Sequence, residues 1–169
     1  MPTMTVKRRA RIAAALTGAV AAVALSFGGP AYAENDPTVA IDSNNSDSIE
    51  SPAACDGHSD DFRFRFYYHS NYQGAWVNVG HPVYDLTSLD FGVGHTAPPL
   101  RFCPGTGDGS GQQAANNSAS VYNWYDGYCA NVYYSAGYRG PVDHFGPSSG
   151  GNLSGTLNNN NRSINFTHC

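Results

Sequence analysis

The chain carries one unusual eight-residue pattern twice, YYHSNYQG at 67–74 and YYSAGYRG at 133–140. Each copy has an aromatic residue, a second aromatic residue five positions later and a glycine two positions after that. Glycine accepts a positive φ without a Cβ clash, so this spacing predicts a sharply folded β-hairpin with aromatic rings lying over it. The positions that define the two hairpins are Tyr67, Tyr72 and Gly74 in the first copy and Tyr133, Tyr138 and Gly140 in the second.

A second shared pattern, Asn-Asn-x-x-Ser, follows each octet, at 116–120 and at 159–163. From the octet glycine to the final serine the distance is 46 residues in the first copy (120 − 74) and 23 in the second (163 − 140). The chain is therefore predicted to be an internal repeat whose first copy carries about 23 extra residues. We assign this insertion to residues 91–114.

Hydrophobicity inside the repeat has the period of β-strands. Residues 62–66 alternate phenylalanine with arginine, and short Val- and Tyr-rich runs follow between Gly, Asn, Pro and Ser residues. No segment shows a helical period of useful length. Many short strands separated by turn signals predict an all-β sandwich or barrel, which we expect to be a single domain over residues 55–169.

The N-terminal segment has the features of an export signal. Basic residues come first, an Ala-rich apolar stretch follows, and Ala31-Tyr32-Ala33 is a typical cleavage site. We therefore expect residues 1–33 to be a secretory signal peptide and the protein to be extracellular, with no membrane anchor after cleavage. Residues 34–54 are polar and contain no aromatic residue, so they are expected to be a disordered acidic linker.

Composition limits both the partners and the redox environment. Removing residues 1–33 leaves five arginines and 13 acidic residues, a net charge of 5 − 13 = −8, so phosphate backbones would repel the chain and nucleic acid is not expected as a partner. Four cysteines in an exported protein predict two disulfides. Three pairings are open, and we favour Cys55–Cys169 with Cys103–Cys129.

The octet followed by the Asn-Asn-x-x-Ser pentad resembles the Greek-key motif of the βγ-crystallin superfamily, over about residues 62–166. The resemblance implies two Greek keys, about 62–124 and 129–166, which form a sandwich of two four-stranded sheets. Among members of the superfamily, the chain looks most like the secreted bacterial crystallin-like peptidase inhibitors, which block metalloproteinases. The resemblance thus implies a monomeric inhibitor whose partner is a secreted protease.

The resemblance also implies two calcium loops, one at each pentad. In the superfamily the leading pair faces the metal, the final serine packs against the folded hairpin or ligates calcium, and a backbone carbonyl at the third position completes the site. Both leading pairs here are Asn, whose amide oxygens are neutral, so calcium would bind weakly and no cofactor is required. Alternatively, these side chains only satisfy the backbone of their turns. The positions concerned are Asn116, Asn117, Ser118 and Ser120 in the first pentad and Asn159, Asn160, Asn161 and Ser163 in the second.

The sequence offers no catalytic motif. No two of the six histidines have the spacing of a zinc site, and no G-x-S-x-G elbow is present. The carboxylate pairs, such as Asp85 with Asp90, are interpreted as solvated loop charge. We therefore expect that the protein is not an enzyme.

The insertion is the candidate inhibitory element. An inhibitor needs a rigid segment that enters a protease cleft, because rigidity lowers the ordering cost of binding. Its prolines, apolar residues and cysteine anchor suit this role. The Gly-rich stretch that follows is expected to be flexible, which argues against it. The alternative is a surface loop that has no function. A weak calcium-binding extracellular module and a small antimicrobial toxin remain open as other functions. The candidate inhibitory loop is Pro98, Pro99, Leu100, Arg101, Phe102, Cys103 and Pro104.

Overall fold

The structure, a computed structural model, describes residues 36–38, 52–57, 62–88 and 98–169. The predicted signal peptide, most of the predicted linker and part of the insertion lie outside these residues. No helix in the described ranges is long and apolar enough to cross a membrane. The elements are a 3-10 helix, Pro52–Cys55, and seven strands: β1 Phe64–His69, β2 Gln73–Val79, β3 Ser120–Asn123, β4 Tyr128–Ser135, β5 Arg139–Phe145, β6 Ser149–Asn152 and β7 Ser163–His168.

The strands form two antiparallel sheets, in the orders β2-β1-β3-β6 and β5-β4-β7. Strand β6 belongs to the second repeat but pairs with β3 of the first. In the reverse direction, Val83 of the first repeat bridges Ile164 on β7, with N–H···O distances of 2.8 and 3.1 Å. The prediction of an all-β sandwich of two Greek keys is confirmed. The sheets have four and three strands rather than four each, because the exchanged segment at Val83 is a single bridge.

The core lies between the sheets and follows the alternation seen in the sequence. Phe62, Phe64 and Phe66 are buried, and the arginines between them are only partly covered. The Phe64 ring meets Phe66 of its own strand and Phe166 of β7 edge to face, at centroid distances of 5.1 and 5.8 Å. One strand of each sheet therefore contributes to a shared aromatic centre, which stabilises the sandwich beyond area burial alone.

The domain extends further towards the N-terminus than expected. Ala54 is 2% exposed and belongs to the core, although it falls within the predicted linker. The 3-10 helix that carries it packs beside β2, where the Asn78 side chain donates to the Asp56 carbonyl at 2.9 Å. The predicted linker therefore ends too far along the chain, since the 3-10 helix Pro52–Cys55 already packs with the domain. Tertiary contacts place this helix, and local composition does not reveal them.

The favoured disulfide pairing is wrong. Cys55 pairs with Cys103 and Cys129 pairs with Cys169, across 48 and 40 residues. Antiparallel pairing sets Cys129 opposite Thr167, which places the C-terminal cysteine beside it. Each bridge therefore closes within one repeat instead of joining the two ends. In the chain-entropy account, bridges closing loops of this length each contribute about 4 kcal/mol.

Candidate functional site

The two octets form the predicted hairpins with the same backbone. At the fifth, sixth and eighth positions the φ angle is positive in both copies. A positive φ costs a non-glycine residue such as Tyr72 or Tyr138 roughly 1–2 kcal/mol. Other contacts must therefore hold each hairpin closed. The values are 58, 61 and 75° at Asn71, Tyr72 and Gly74, and 72, 58 and 83° at Gly137, Tyr138 and Gly140.

Aromatic packing closes each fold, as the spacing predicts. The ring of Tyr67 meets that of Tyr72 at 5.6 Å between centroids, and Tyr133 meets Tyr138 at 6.0 Å. The second ring of each pair comes from the residue with positive φ. The strained turn thus places that ring over the first, which compensates part of the backbone cost.

The pentad serines clamp the two hairpins. Ser120 Oγ donates to the His69 carbonyl at 2.6 Å and accepts the Tyr72 N–H at 3.0 Å. Ser163 makes the equivalent pair in the second repeat, with the Ser135 carbonyl at 2.6 Å and the Tyr138 N–H at 3.1 Å. Both serines are completely buried. Each hydroxyl therefore satisfies the backbone on both sides of a strained turn.

The two pentads are locked to each other in a reciprocal manner. The Asn116 N–H donates to the Asn161 carbonyl at 2.9 Å, and the Asn159 N–H donates to the Ser118 carbonyl at 3.0 Å. The buried Asn161 side chain adds a bond from the Ser118 N–H at 3.2 Å. The first residue of each pentad thus pairs with the third residue of the other.

These contacts bear on whether calcium fits. The Ser118 and Asn161 carbonyls already accept N–H donors, and the Ser120 and Ser163 hydroxyls are each bonded twice. Among the described residues, no three His, Cys, Asp or Glu side chains cluster to hold a metal. Calcium prefers six to eight oxygens and is bound more tightly by charged ligands. The loops are closed by protein hydrogen bonds, and the weak calcium sites at both pentads stay predictions.

A pocket of about 500 Å³ opens beside the second hairpin, and we call it the second-hairpin pocket. It brings together residues of both pentads with residues of the hairpin. Two arginines are part of its wall, which does not fit a divalent cation. Its polar lining is Asn116, Ser135, Arg139, Asn160 and Arg162, with Tyr134 at its edge.

Arg162 is held in this wall by Asp85. Its Nε and Nη2 donate to the two carboxylate oxygens at 3.2 and 2.8 Å, and Nη2 also reaches Thr87 Oγ1 at 3.2 Å. Burial would raise the pKa of Asp85, but hydrogen bonds from Arg162 and Thr87 outweigh it and hold that pKa below its ordinary value. The interpretation of Asp85 as solvated charge is therefore wrong, because its partner is 77 residues away.

The candidate inhibitory loop is anchored rather than free. Leu100, Phe102 and Cys103 are at most 4% exposed, so their side chains face the core and cannot enter a protease cleft. Phe102 and the Gly111–Gln112 segment exchange backbone bonds of 2.9 Å. The exposed part of the loop is Pro98, Arg101 and Pro104, with residues 105, 107–108 and 110–112 beyond it.

The insertion also covers an edge strand. The Cys103 N–H donates to the Trp76 carbonyl at 2.9 Å, and the Ala75 N–H donates to the Asp108 carbonyl at 2.7 Å. Strand β2 is at the edge of its sheet, and unpaired edges promote association with other chains. The expectation of a flexible Gly-rich stretch from Gly105 to Gly111 is not met at Asp108, whose carbonyl is fixed to the sheet.

Sequence reasoning missed an arginine stack on the outer face of the first sheet. The Arg65 guanidinium lies 3.9 Å from the centroid of the Trp76 ring and 5.2 Å from that of Trp124. Its Nε donates to the Asn78 side chain at 2.7 Å. Burial lowers the pKa of Arg65 from its usual value. The Phe-Arg alternation placed Arg65 on this outer face, but only the pairing of β1 with β2 identifies Trp76 as its neighbour.

No protein-family model matches the chain, and no curated protein sequence matches it. Similar solved structures include a domain from work on the evolution of the eye-lens βγ-crystallin domain fold, at 19% identity and a TM-score of 0.45, covering 68% of this chain and 93% of that one. A βγ-crystallin domain from Clostridium beijerinckii shares 18% identity, with a TM-score of 0.40 over 62% of this chain and 95% of that one. A βγ-crystallin domain from Flavobacterium johnsoniae shares 19% sequence identity, with a TM-score of 0.41, and the match covers 63% of this chain and 94% of that one. In fold, this chain is similar to βγ-crystallin domains.

Proposed function

We propose that this protein is a secreted peptidase inhibitor, directed at metalloproteinases, that acts through the exposed part of the anchored insertion on a disulfide-braced scaffold. The observation that carries the proposal is the way this segment is fixed at several points. A segment that is already ordered loses little conformational entropy on binding, so more of its contact energy appears as affinity. The extracellular location is part of the proposal and is supported by the two disulfides.

Three kinds of contact hold the insertion rigid. The disulfide to Cys55 ties Cys103, in the middle of the insertion, to the 3-10 helix. Two backbone hydrogen bonds fix it to β2, and the Phe102 side chain is completely buried. The Arg101 guanidinium, which is exposed, donates to the Gly111 carbonyl at 2.8 Å and bridges the two arms of the loop.

This arrangement changes which residues would meet a protease. Leu100 and Phe102 act as anchors, and the contact surface is Arg101, Pro104 and residues 107–108 and 110–111. A peptide bond cut in such a segment would leave both ends in place, because the disulfide and the sheet bonds hold them. Rebinding and religation would then compete with release, as a slowly hydrolysed inhibitor requires.

The test is inhibition of a panel of secreted metallo- and serine proteases by the purified, disulfide-bonded protein. The variant Pro104→Trp places a bulky side chain on the exposed part of the insertion. The matched control, Thr156→Trp, makes the same change at an exposed position of another loop. We expect stoichiometric inhibition of at least one metalloproteinase, weakened at least tenfold by P104W and unchanged by T156W. Absence of inhibition across the panel, or equal effects of the two variants, would overturn the proposal.

A further inference from the structure

The second-hairpin pocket has the size of a small-molecule site and a mostly polar lining. Its volume of about 500 Å³ falls within the range of roughly 300–1,000 Å³ found for ligand pockets. It combines side-chain amides, a hydroxyl and two guanidinium groups, and none of the described residues that line it is acidic. Tyr134 at its edge is 42% exposed, and among the described large hydrophobic residues only Tyr72, at 43%, is comparably exposed.

Positive charge is concentrated here in an otherwise acidic chain. Residues 34–169 contain five arginines against 13 acidic residues, and two of those five line this pocket. Arg162 is neutralised by Asp85, which also fixes its position. Arg139 is exposed, its Nε donates to the Ala136 carbonyl at 3.4 Å, and within the described ranges its guanidinium forms no ion pair. The pocket therefore offers one uncompensated positive charge beside a second, pre-positioned guanidinium.

The first repeat provides an internal comparison, since its octet and pentad occupy equivalent positions. There Gln73 stands at the position of Arg139 and Ala119 at that of Arg162, so both cationic groups are particular to the second repeat. The surface around Tyr68, the equivalent of Tyr134, is also covered by the insertion. A Cβ added to Gly109 would lie 2.3 Å from the Tyr68 ring, which shows how closely the backbone approaches it.

We propose that the second-hairpin pocket binds a small molecule through its carboxylate group. Guanidinium groups present paired N–H donors whose spacing matches the two carboxylate oxygens, and such charge-assisted bonds are about twice as strong as neutral ones. The Asn116 and Asn160 amides and the Ser135 hydroxyl can bond further polar groups of the ligand, and Tyr134 presents a flat surface for its body. This inference does not depend on protease inhibition, because none of the residues that line the pocket belongs to the insertion.

The experiment is an NMR titration of the purified, disulfide-bonded protein with two carboxylates, galacturonate and N-acetylphenylalanine. Galactose and N-acetylphenylalanine amide are the neutral controls for each. We expect the carboxylates to shift the backbone amides of residues 134–136 and 160–162 with Kd values of about 10 mM or lower. The neutral compounds should produce no saturable shift. Binding of only one carboxylate would support the proposal and identify a sugar acid or a peptide-like acid as its source.

Matched variants test the role of the arginine. Arg139→Gln removes the free guanidinium from an exposed position and should weaken carboxylate binding at least tenfold without lowering Tm. Arg101→Gln removes the same charge on the other repeat and should leave binding unchanged. No saturable shift with either carboxylate at about 50 mM would overturn the proposal, because a Kd above about 50 mM corresponds to a binding free energy of under 2 kcal/mol. Equal losses in the two variants, or equal binding of the neutral compounds, would also overturn it.

Discussion

Arg162 of the second pentad forms a bidentate ion pair with Asp85 of the first repeat, with Nε–Oδ1 and Nη2–Oδ2 distances of 3.2 and 2.8 Å. The Arg162 N–H also donates to the Tyr133 carbonyl, and its carbonyl accepts the Leu86 N–H, both at 2.8 Å. The residue thus joins the exchanged segment of the first Greek key to the second hairpin. Because the Asp85 side chain is only 17% exposed, the pair is shielded from solvent more than an ordinary surface ion pair.

Replacing Asp85 with Asn should destabilise the protein by about 1–2 kcal/mol, since hydrogen bonds to charged groups contribute about 1.5–3 kcal/mol and Arg162 keeps some access to water. Urea unfolding at neutral pH measures the change. Asp56→Asn, which removes an exposed carboxylate, is the control and should alter stability by less than about 0.5 kcal/mol. Equal effects of the two variants would contradict a structural role for the pair.

The Asp85 contribution should also depend on pH. Its folded-state pKa is lowered, so its stabilisation is fully present above the unfolded-state value of about 4 and is lost as pH falls through the folded-state value. The stability difference between the wild type and D85N should therefore be largest above about pH 5 and should shrink as the pH falls below about 4. Urea unfolding of both proteins at several pH values measures this difference. A difference that stays constant would show that the carboxylate charge is not what Arg162 recognises.

The serine clamps give a prediction for each repeat. Ser120→Ala and Ser163→Ala each leave a hairpin carbonyl and an N–H without their partner, and a buried unsatisfied group costs about 1–3 kcal/mol. We expect each variant to lose about 2–3 kcal/mol and to show faster hydrogen exchange at its own hairpin, at Tyr72 or at Tyr138. The exposed Ser154→Ala is the control. If exchange rises equally in both hairpins, the clamps do not act locally.

The close approach of the insertion to Tyr68 can be tested with alanine. Gly109 and Gly105 both have positive φ, at 90 and 73°, but only Gly109 has a neighbour that an added Cβ would strike. Gly105→Ala should therefore cost about 1 kcal/mol from backbone strain alone, whereas Gly109→Ala should cost at least about 2 kcal/mol. Thermal unfolding measures both. Hydrogen exchange at the Ala75 amide, which bonds Asp108, should increase only in G109A, and no increase would mean that the insertion is held without this contact.

Much of the architecture was predictable because its determinants are local. The octets specify hairpins because Gly74 and Gly140 tolerate positive φ, and the structure has positive φ at matching positions in both copies. The Phe-Arg alternation assigned β1 and its buried face correctly. The spacing of octet and pentad predicts an extra segment in the first repeat, and in its described part backbone bonds join Phe102 to the Gly111–Gln112 segment.

What remained unpredicted depends on contacts between distant residues. Cys129 could pair with any of three partners until antiparallel register set it opposite Thr167. Leu100 and Phe102 were interpreted as an exposed inhibitory loop, yet they fill the core, because an apolar residue in a proline-rich segment has no periodicity that reveals its direction. No sequence motif identifies Arg139 or Arg162 as residues that line a pocket.

The sequence by itself determined the repeat, the two hairpins and the β-sandwich, since these follow from backbone geometry and from short-range alternation. Only the tertiary structure decided which faces of the repeat are covered and which are open. The insertion packs over Tyr68 in the first repeat, while the equivalent Tyr134 stays exposed beside Arg139 in the second. The physical reason is that burial and charge pairing are properties of neighbours in space, and partners such as Asp85 and Arg162 lie 77 residues apart in the sequence.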